Sequence, residues 1–473
     1  MTFFLVLLFG ALALVLLSGD WRLGLLLTVV IGFAQDPIRK LTPGQPSAYV
    51  GLVLVSFLLC LLVLLKQRRG RFGLSLMFPA TPALSNLLFL YVGLIALQAT
   101  HSLLRWGTPS RTLIGVAFYL APLLGLWMGF QVGRFQPFLR QLFRLYLLFA
   151  ALFGLTALLD YLGVETALFD AVGGGTIIHF RYGFYTEGAV GLWRSTDMAA
   201  MHLTIASCLA VVFALSQPVS LRRAAWLLLS GFFAVTSLLT GRRKAIVQIV
   251  IFCGLYLWLV ARYGPGRSRQ QIWGLLISAA GLAALGLVLD PSEFLGDDFG
   301  EYLARAGTAQ SDLWDRFNVL GIYAAQRGLD ISGGIGLGVG TLAQTGGAGV
   351  STLAGRGFAF VSESGLGKVV AELGWAGIVL LVLLLWRLFQ ALLYCLRMMK
   401  YEPDSIAIFE IGLLAFALSN LPFFSAAAGV YGDPFVLIIC GISLGSVFVV
   451  PTTSSKSGAV GSEGLKVVGS ITA

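Results

Sequence analysis

Residues 47–65 read SAYVGLVLVSFLLCLLVLL, nineteen positions without a charge, and residues 66–71 follow at once as KQRRGR. An apolar stretch of this length matches the roughly 20 residues that an α-helix needs to cross the hydrocarbon core of a bilayer. The cations that follow are the kind of cluster held on the cytoplasmic side of a membrane. This one stretch therefore predicts both a transmembrane helix and its direction.

The same pattern recurs along the chain. Of 473 residues, 58% are hydrophobic and 11% are charged, and 34 are Phe; the mean hydropathy is +0.88. Soluble chains carry about 25% charged residues, so this one has too little polar surface to coat a water-facing sphere. The composition excludes a disordered chain, a disulfide-stapled secreted domain and a soluble nucleotide enzyme. The five cysteines, Cys60, Cys208, Cys253, Cys395 and Cys440, lie within apolar runs and form no CxxC pair, so they read as small core or lipid-facing residues. The net charge of +10 reads as a topology signal, not as an affinity for nucleic acid.

Further spans are predicted at 2–17, 21–34, 83–101, 112–130, 139–160, 196–215, 223–240, 245–261, 271–289, 369–389, 405–421 and 434–450. With 47–65 they make an all-α, polytopic membrane protein of about 12–13 spans. The organisation expected is N-terminal membrane helices over 1–160, a short outer loop over 161–195, central membrane helices over 196–289, a long outer loop over 290–368, C-terminal membrane helices over 369–450 and a flexible cytoplasmic tail over 451–473. With 66–71 placed inside, eighteen Lys and Arg fall on the inner side and seven in the short outer loops, the asymmetry that membrane insertion favours.

Three of those seven are consecutive. In LLTGRRKAI (238–246) one apolar helix ends at Thr240 and Gly241, and the next begins at once with Arg242, Arg243 and Lys244. Cations are disfavoured at the outer boundary, so the triplet reads as a misassigned span, as snorkelling to lipid phosphates, or as an anion site for a pyrophosphate, where Arg forks and a helix N-terminus act together.

The outer loops carry mixed features. Loop 161–195 is aromatic, and Tyr182, Phe184, Tyr185 and Trp193 could stack on sugars or form an interfacial belt. Ser195, Thr196 and Asp197 read as a helix N-terminus. His101, His179 and His202 stand apart from one another, which disfavours a His metal site. In the long loop, Leu313–Arg327 has apolar residues at helical spacing (Phe317, Leu320, Tyr323, Ala324) and predicts an amphipathic helix on the outer face. The run GGIGLGVG (333–340) is not a dinucleotide fingerprint, because Val339 and Thr341 occupy positions that would need glycine. Gly367 and Lys368 do not complete a P-loop, because Ser362 stands where its first glycine belongs and Val369 follows the lysine. The glycines permit close approach of backbone to a ligand, or mobility. Glu410, within a span, reads as an interfacial or helix-packed carboxylate.

LLTGRRKAI, an Arg-bearing helix in the long loop, GGIGLGVG and then ESGLGKVVAELGWAGIVLLVLL (363–384) follow one another in an order that resembles the O-antigen ligase and polysaccharide polymerase family. In that family a helix-end Thr-Gly-Ser-Arg-like motif, a loop Arg, a Gly-x-Gly turn and a His-Asn-x-x-Leu…Glu-x-Gly motif recur. The resemblance spans about residues 190–390. Arg242 or Arg243 falls on the helix-end Arg, Arg316 on the loop Arg, and Glu372 with Gly374 on the terminal Glu-x-Gly. This chain departs from the family where His is expected: Glu363 stands there, followed by Ser364 and not Asn.

The resemblance implies inverting, metal-independent glycosyl transfer at the extracytoplasmic face of the bacterial cytoplasmic membrane, from a polyprenyl-pyrophosphate-linked glycan to an acceptor hydroxyl. No cofactor is expected. Glu363 and Arg316 are the expected catalytic residues, and Arg242, Arg243, Lys244 and Lys368 the expected substrate-binding residues. The leaving pyrophosphate needs its charge neutralised, and the acceptor hydroxyl needs a base. The partners implied are the lipid-linked donor, a glycan or lipid acceptor, membrane lipids, and flippase and chain-length regulator proteins, with no nucleic acid. Polymerisation of repeat units is the first reading and ligation of finished glycan the second, which the Glu363 departure weakens. A solute transporter is the reading of another class, and it should show paired broken spans in two repeated halves.

Overall fold

The computed structural model describes residues 17–70, 77–78, 81–172, 177–179, 185–218, 220–265, 317–342, 363–426 and 431–450, with residues 10, 13, 73, 302 and 361 besides. The helices are α1 (Trp21–Lys40), α2 (Leu52–Gln67), α3 (Pro82–Trp106), α4 (Pro109–Gly133), α5 (Gln136–Tyr161), α6 (Thr196–Leu215), α7 (Leu221–Leu239), α8 (Arg243–Tyr263), α9 (Ala324–Ser332), α10 (Gly365–Met398), α11 (Asp404–Ala426) and α12 (Pro434–Ser446). Ten helical stretches among the described residues are long and apolar enough to cross a membrane, and Pro434–Val449 is a shorter apolar one. The protein is thus an all-α, multi-pass membrane protein. Of the expected span 2–17 only residues 10, 13 and 17 are described, and 271–289 and the tail 451–473 lie outside the described residues.

Helix ends gather at two faces of the bundle. At one, here termed upper, Lys40 at the end of α1 donates to the carbonyls of Leu168 and Gly191 at 2.8 and 2.7 Å. There too Asp160 near the end of α5 accepts from the backbone of Val190 and Gly191, and Ala189 N–H donates to the Leu239 carbonyl at the end of α7. At the lower end Arg140 of α5 donates to the Ser405 carbonyl at 2.8 Å. Residues 161–172 and 188–195, the triplet and the start of α10 all stand at the upper end, the arrangement that alternating spans require. Within that loop a small antiparallel hairpin pairs β1 (Ile177–His179) with β2 (Tyr185–Glu187), with Ile177 opposite Glu187.

The interior is built around α6, in whose apolar stretch 94% of the residues are buried, as expected of a helix enclosed by others. α4 and α12 pack backbone to backbone through small residues at four-residue spacing, Gly125, Gly129 and Gly133 against Gly441 and Gly445. A methyl added at Gly445 would stand 1.9 Å from the Leu126 carbonyl oxygen. In a bilayer, where hydrophobicity does not drive helices together, such close approach supplies van der Waals contact.

An ionic hub closes the upper end. Arg194 reaches Asp36 of α1 at 2.9 Å and Asp433 at 2.8 Å, and Asp433 also caps α12 through the Phe435 N–H. Burial alone would depress the Arg194 guanidinium, but the two carboxylates outweigh it and hold it above its ordinary value. Trp193 beside it is 1% exposed and stacks on His202, whose ring meets the Tyr146 hydroxyl at 2.8 Å. Trp193 is therefore neither a sugar platform nor part of an interfacial belt. Tyr182 and Phe184 lie outside the described residues, as do the side chains of His179 and Tyr185.

The expected amphipathic helix is partly present. Residues 313–316 lie outside the described residues; Phe317–Tyr323 form a wide, π-type turn that runs into α9. Its buried face is the small one, with Gly321, Ala324, Gly328 and Ser332 inward and Gly367 of α10 lying against Ala324. Phe317, Val319, Ile322 and Tyr323 point outward. The apolar spacing read from the sequence thus marks the exposed side, except at Ala324.

Candidate functional site

The cation triplet owes its position to Gly241. α7 ends at Thr240, and Gly241 in the left-handed region (φ +68°) reverses the chain so that Arg242 caps α8 directly. Positive side chains at a helix N-terminus add to the positive end of its dipole. The offset comes from α6. Its first turn is capped by Ser195, whose hydroxyl accepts from Met198 N–H, as the sequence predicts. That cap sets Thr196 and Asp197 beside the triplet. Arg242 donates through Nε and Nη2 to the Thr196 hydroxyl at 2.8 and 2.6 Å. Asp197 pairs with Arg242 at 3.3 Å and with Lys244 through its other oxygen.

A narrow crevice with about 10 Å³ of open space, room for one water, lies at this cluster. Its walls are Ala200, Met201 and Thr204 of α6, Lys244, Ala245 and Gln248 of α8, with Phe423 of α11 and Tyr431. Charge lies at the mouth, and the deeper wall is mostly apolar. Gln248 donates to Asn420 at 2.9 Å, and the Tyr431 hydroxyl donates to the same amide oxygen at 3.0 Å, so the polar groups of the floor are already partnered.

The second feature at the upper end is a break in α10. Gly374 has φ 65° and ψ −160°, a conformation essentially reserved for glycine. Interrupting a helix frees backbone groups that lipid cannot satisfy, and the glycine run satisfies them here. Leu337 N–H donates to the Ala371 carbonyl at 2.8 Å, Gly338 N–H to the Glu372 carbonyl at 3.1 Å, and Trp375 N–H to the Gly334 carbonyl at 2.9 Å. Gly334, Gly336, Gly338 and Gly340 all have positive φ. A methyl at Gly340 would stand 2.0 Å from the Arg111 carbonyl oxygen. The run is a buried strap wedged between α3, α4 and α10. Its glycines serve close approach of backbone to backbone, an alternative to the ligand contact or mobility read from the sequence.

Glu372 anchors this strap. Its carboxylate accepts from Tyr119 of α4 at 2.8 Å and from Leu342 N–H at 2.9 Å, and pairs with Lys368 at 3.3 Å. Glu372 is fully buried and Lys368 is 5% exposed. Lys368, expected to bind substrate, thus spends its charge inside the protein, with Phe118 stacked 4.9 Å away.

Glu363 stands exposed one residue before Ser364, the cap of α10, and among the described residues it makes no hydrogen bond or ion pair. The Ser364 hydroxyl donates to the Ser425 carbonyl at 3.1 Å, so the start of α10 rests on the end of α11, two residues from the crevice-lining Phe423. Arg316 lies outside the described residues. Arg243 opens α8 between Arg242 and Lys244. Glu410 lies at the lower end, buried, and accepts from Gln136 at 2.5 Å and Ser446 at 2.7 Å, a helix-packed role.

Sequence reasoning missed Asp197 as the counter-ion of the triplet. The signal was available, because alternating spans put residues 197 and 242 at the same end, and Asp197 is an acid in the first turn of a span. No protein-family model and no curated protein matches the chain.

Proposed function

We infer that the chain is a membrane glycosyltransferase that moves an oligosaccharide from a polyprenyl-pyrophosphate carrier to an acceptor hydroxyl, polymerising repeat units of O-antigen or exopolysaccharide at the outer face of the bacterial cytoplasmic membrane. The observation that carries this reading is the gathering of Arg242, Arg243 and Lys244 at the upper end of the bundle, where α7 ends and α8 begins. A diphosphate carried on a membrane lipid needs such cations at the bilayer boundary. The order of sequence motifs shared with the polysaccharide polymerase and ligase family supports it further.

In this reading Arg242, Arg243 and Lys244 hold the diphosphate and take up the charge that develops on it as the glycosidic bond breaks. Arg316, which lies outside the described residues, is the further cation expected to act with them, and Lys368 keeps the start of α10 in place. Glu363, exposed beside the end of α11, accepts the proton of the acceptor hydroxyl. The new bond forms as the bond to the diphosphate opens on the opposite side of the sugar, which inverts the anomeric carbon.

The break at Gly374 favours a second reading, since transporters build substrate sites from discontinuous helices. The carbonyls freed at this break are, however, taken by the glycine strap and do not face a cavity. Deletion of the gene followed by analysis of surface glycan length separates the readings. Single repeat units left on lipid, with long chains lost, support a polymerase; long lipid-linked chains support a ligase; an unchanged glycan profile overturns both.

A further inference from the structure

α7 begins at the lower end with a cation that the fold encloses and does not pair. Ser220 caps the helix by accepting from the Arg223 N–H, which fixes Arg223 in the first turn. Arg223 is 7% exposed, and among the described residues its guanidinium makes no hydrogen bond or ion pair. Its Nη1 is fully enclosed, whereas Nε and Nη2 are not. One turn on, Trp226 stacks on Phe213 of α6 with ring centroids 5.0 Å apart, and Phe213 meets Phe409 of α11 edge-on at 5.3 Å. Arg144 of α5 lies 5.7 Å from the Phe213 ring, and Arg140 4.6 Å from the Phe409 ring. The Tyr256 hydroxyl of α8, which donates to the Ile408 carbonyl at 2.9 Å, stands within electrostatic reach of both Arg223 and Arg140. Three guanidinia thus gather at one aromatic knot.

We propose that Arg223, Arg140 and Arg144 form a binding site for the phosphate of an anionic phospholipid, drawn from the leaflet at the lower end. The site lies at the opposite end of the bundle from the triplet, and it does not depend on the glycosyltransferase reading.

Three observations carry it. First, the chain supplies too little counter-charge. Glu410 is within electrostatic reach of Arg140, but its two oxygens accept from Gln136 and Ser446. Arg140 donates to the Ser405 carbonyl, Arg144 makes no hydrogen bond or ion pair among the described residues, and neither Glu402 nor Asp404 pairs with any of the three. A buried cation without a partner is strongly destabilising, so an anion from outside the chain is the compensation that the fold leaves open. Second, Arg223 stands in the first turn of the apolar span Leu221–Leu239, the level at which a guanidinium meets lipid phosphates. Third, the flank of that span is apolar and open: Leu221 and Leu228, two turns apart on one face, are 88% and 76% exposed, so an acyl chain can lie along α7 below its head group. Basic pockets between helices hold lipid head groups in this way, and Arg forks match phosphate oxygens. A zwitterionic head group would bring a further cation to a site that already has three, which favours an anionic one.

The test counts bound lipid by native mass spectrometry, with purified full-length protein titrated in parallel with phosphatidylglycerol and phosphatidylcholine. Wild type should bind phosphatidylglycerol about tenfold more tightly, the equivalent of one charge-assisted contact. Arg223→Met, which keeps an unbranched side chain without the charge, and Arg144→Gln should each lose most of that preference. Lys66→Gln removes a cation from the last turn of α2 at the same end and should keep the preference within about twofold. No preference in wild type, or a preference that survives Arg144→Gln, overturns the proposal. Equal loss in Lys66→Gln also overturns it, because charge spread over the whole lower face would then be responsible. If Arg223→Met does not fold, Arg144→Gln decides alone, since Arg144 is exposed.

Thermal stability is the second arm. Moving wild type from nanodiscs of phosphatidylcholine to nanodiscs containing phosphatidylglycerol should raise its melting temperature by a few degrees, because a ligand of the folded state stabilises it. Arg144→Gln should gain less than half as much. Equal gains in the two proteins, or none in wild type, overturn the proposal. Inorganic phosphate identifies the source of the anion: if it stabilises wild type in phosphatidylcholine as far as phosphatidylglycerol does, the ligand is a free phosphate and the lipid site falls.

Discussion

The Tyr119 hydroxyl donates to the Glu372 carboxylate at 2.8 Å, tying the middle of α4 to the turn of α10 that precedes its break. This contact sits inside a buried set that also includes Lys368 and Leu342 N–H. Loss of one neutral donor to a buried carboxylate costs about 1–3 kcal/mol, so Tyr119→Phe should lower the melting temperature measurably in detergent. Glu372→Gln leaves the Lys368 ammonium buried without its counter-charge and should cost about 3–5 kcal/mol. The double variant should lose less than the sum, because both changes act on one network. Strict additivity would show that the two residues are not coupled.

Gly374→Ala should be among the most damaging single-methyl changes in the chain. The backbone there has φ 65° and ψ −160°, and the added carbon would stand 2.3 Å from the Gly334 carbonyl oxygen. Strain of this type alone costs about 1–3 kcal/mol before the clash is counted. The expected result is poor recovery of folded protein by size-exclusion fluorescence, whereas Gly254→Ala, with open space around it, should behave as wild type.

These two sites also mark what the sequence could and could not disclose. The spans were legible because lipid imposes length and hydropathy on each helix separately, and Ser195 was legible as a cap because a cap is local. The glycine strap was not: Gly334, Gly336, Gly338 and Gly340 look alike whether the close neighbour is a ligand, solvent or another backbone, and only the positions of Ala371, Glu372 and Arg111 decide. The hub of Arg194 with Asp36 and Asp433 joins separate segments and leaves no spacing to read. In the long loop the periodicity of Phe317, Leu320 and Tyr323 was real, but burial follows small residues there, because α9 meets α10 through backbone contact at Gly328 and Gly367.

Arg242→Lys tests the chemistry of the triplet. Lysine retains the charge but cannot hold Thr196 through two nitrogens and reach Asp197 from the same planar group. Transfer from a purified lipid-linked donor should fall by about ten- to a hundredfold, the equivalent of one to two charge-assisted contacts. Normal turnover at normal expression would reduce Arg242 to a helix cap. Arg316→Lys is expected to lose most activity for the same reason.

Cysteines report the sidedness of the bundle. Leu41 and Leu162 are exposed at the upper end, Leu221 and Tyr401 at the lower. In the cysteine-free background, Leu41→Cys and Leu162→Cys should react with an impermeant maleimide added to cells with a permeabilised outer membrane. Leu221→Cys and Tyr401→Cys should react only after lysis. Reaction of all four, or the reverse pattern, breaks the orientation on which the site depends.

Glu363→Gln separates two roles by size. A carboxylate that merely favours the N-terminus of α10 contributes about 0.3–1 kcal/mol, and its loss leaves turnover within a few fold. A general base contributes about a hundredfold or more. Turnover close to wild type with the lipid-linked donor would retire Glu363 as the base while leaving the Arg242 cluster untouched.

The hub at Arg194 has a consequence for how the chain is made. Asp36 is in the first described span, Arg194 enters at mid-chain and Asp433 opens the last described helix. During synthesis Asp36 and Arg194 must therefore wait, near the bilayer surface, for a carboxylate that leaves the ribosome only near the end of translation. Closure of the hub is thus a late event in biogenesis, completed only when the helix that Asp433 caps stands with its start at the upper end. A chain cut short before Asp433 keeps at its upper end a buried guanidinium that has lost one of its two carboxylates, a defect expected to be strongly destabilising.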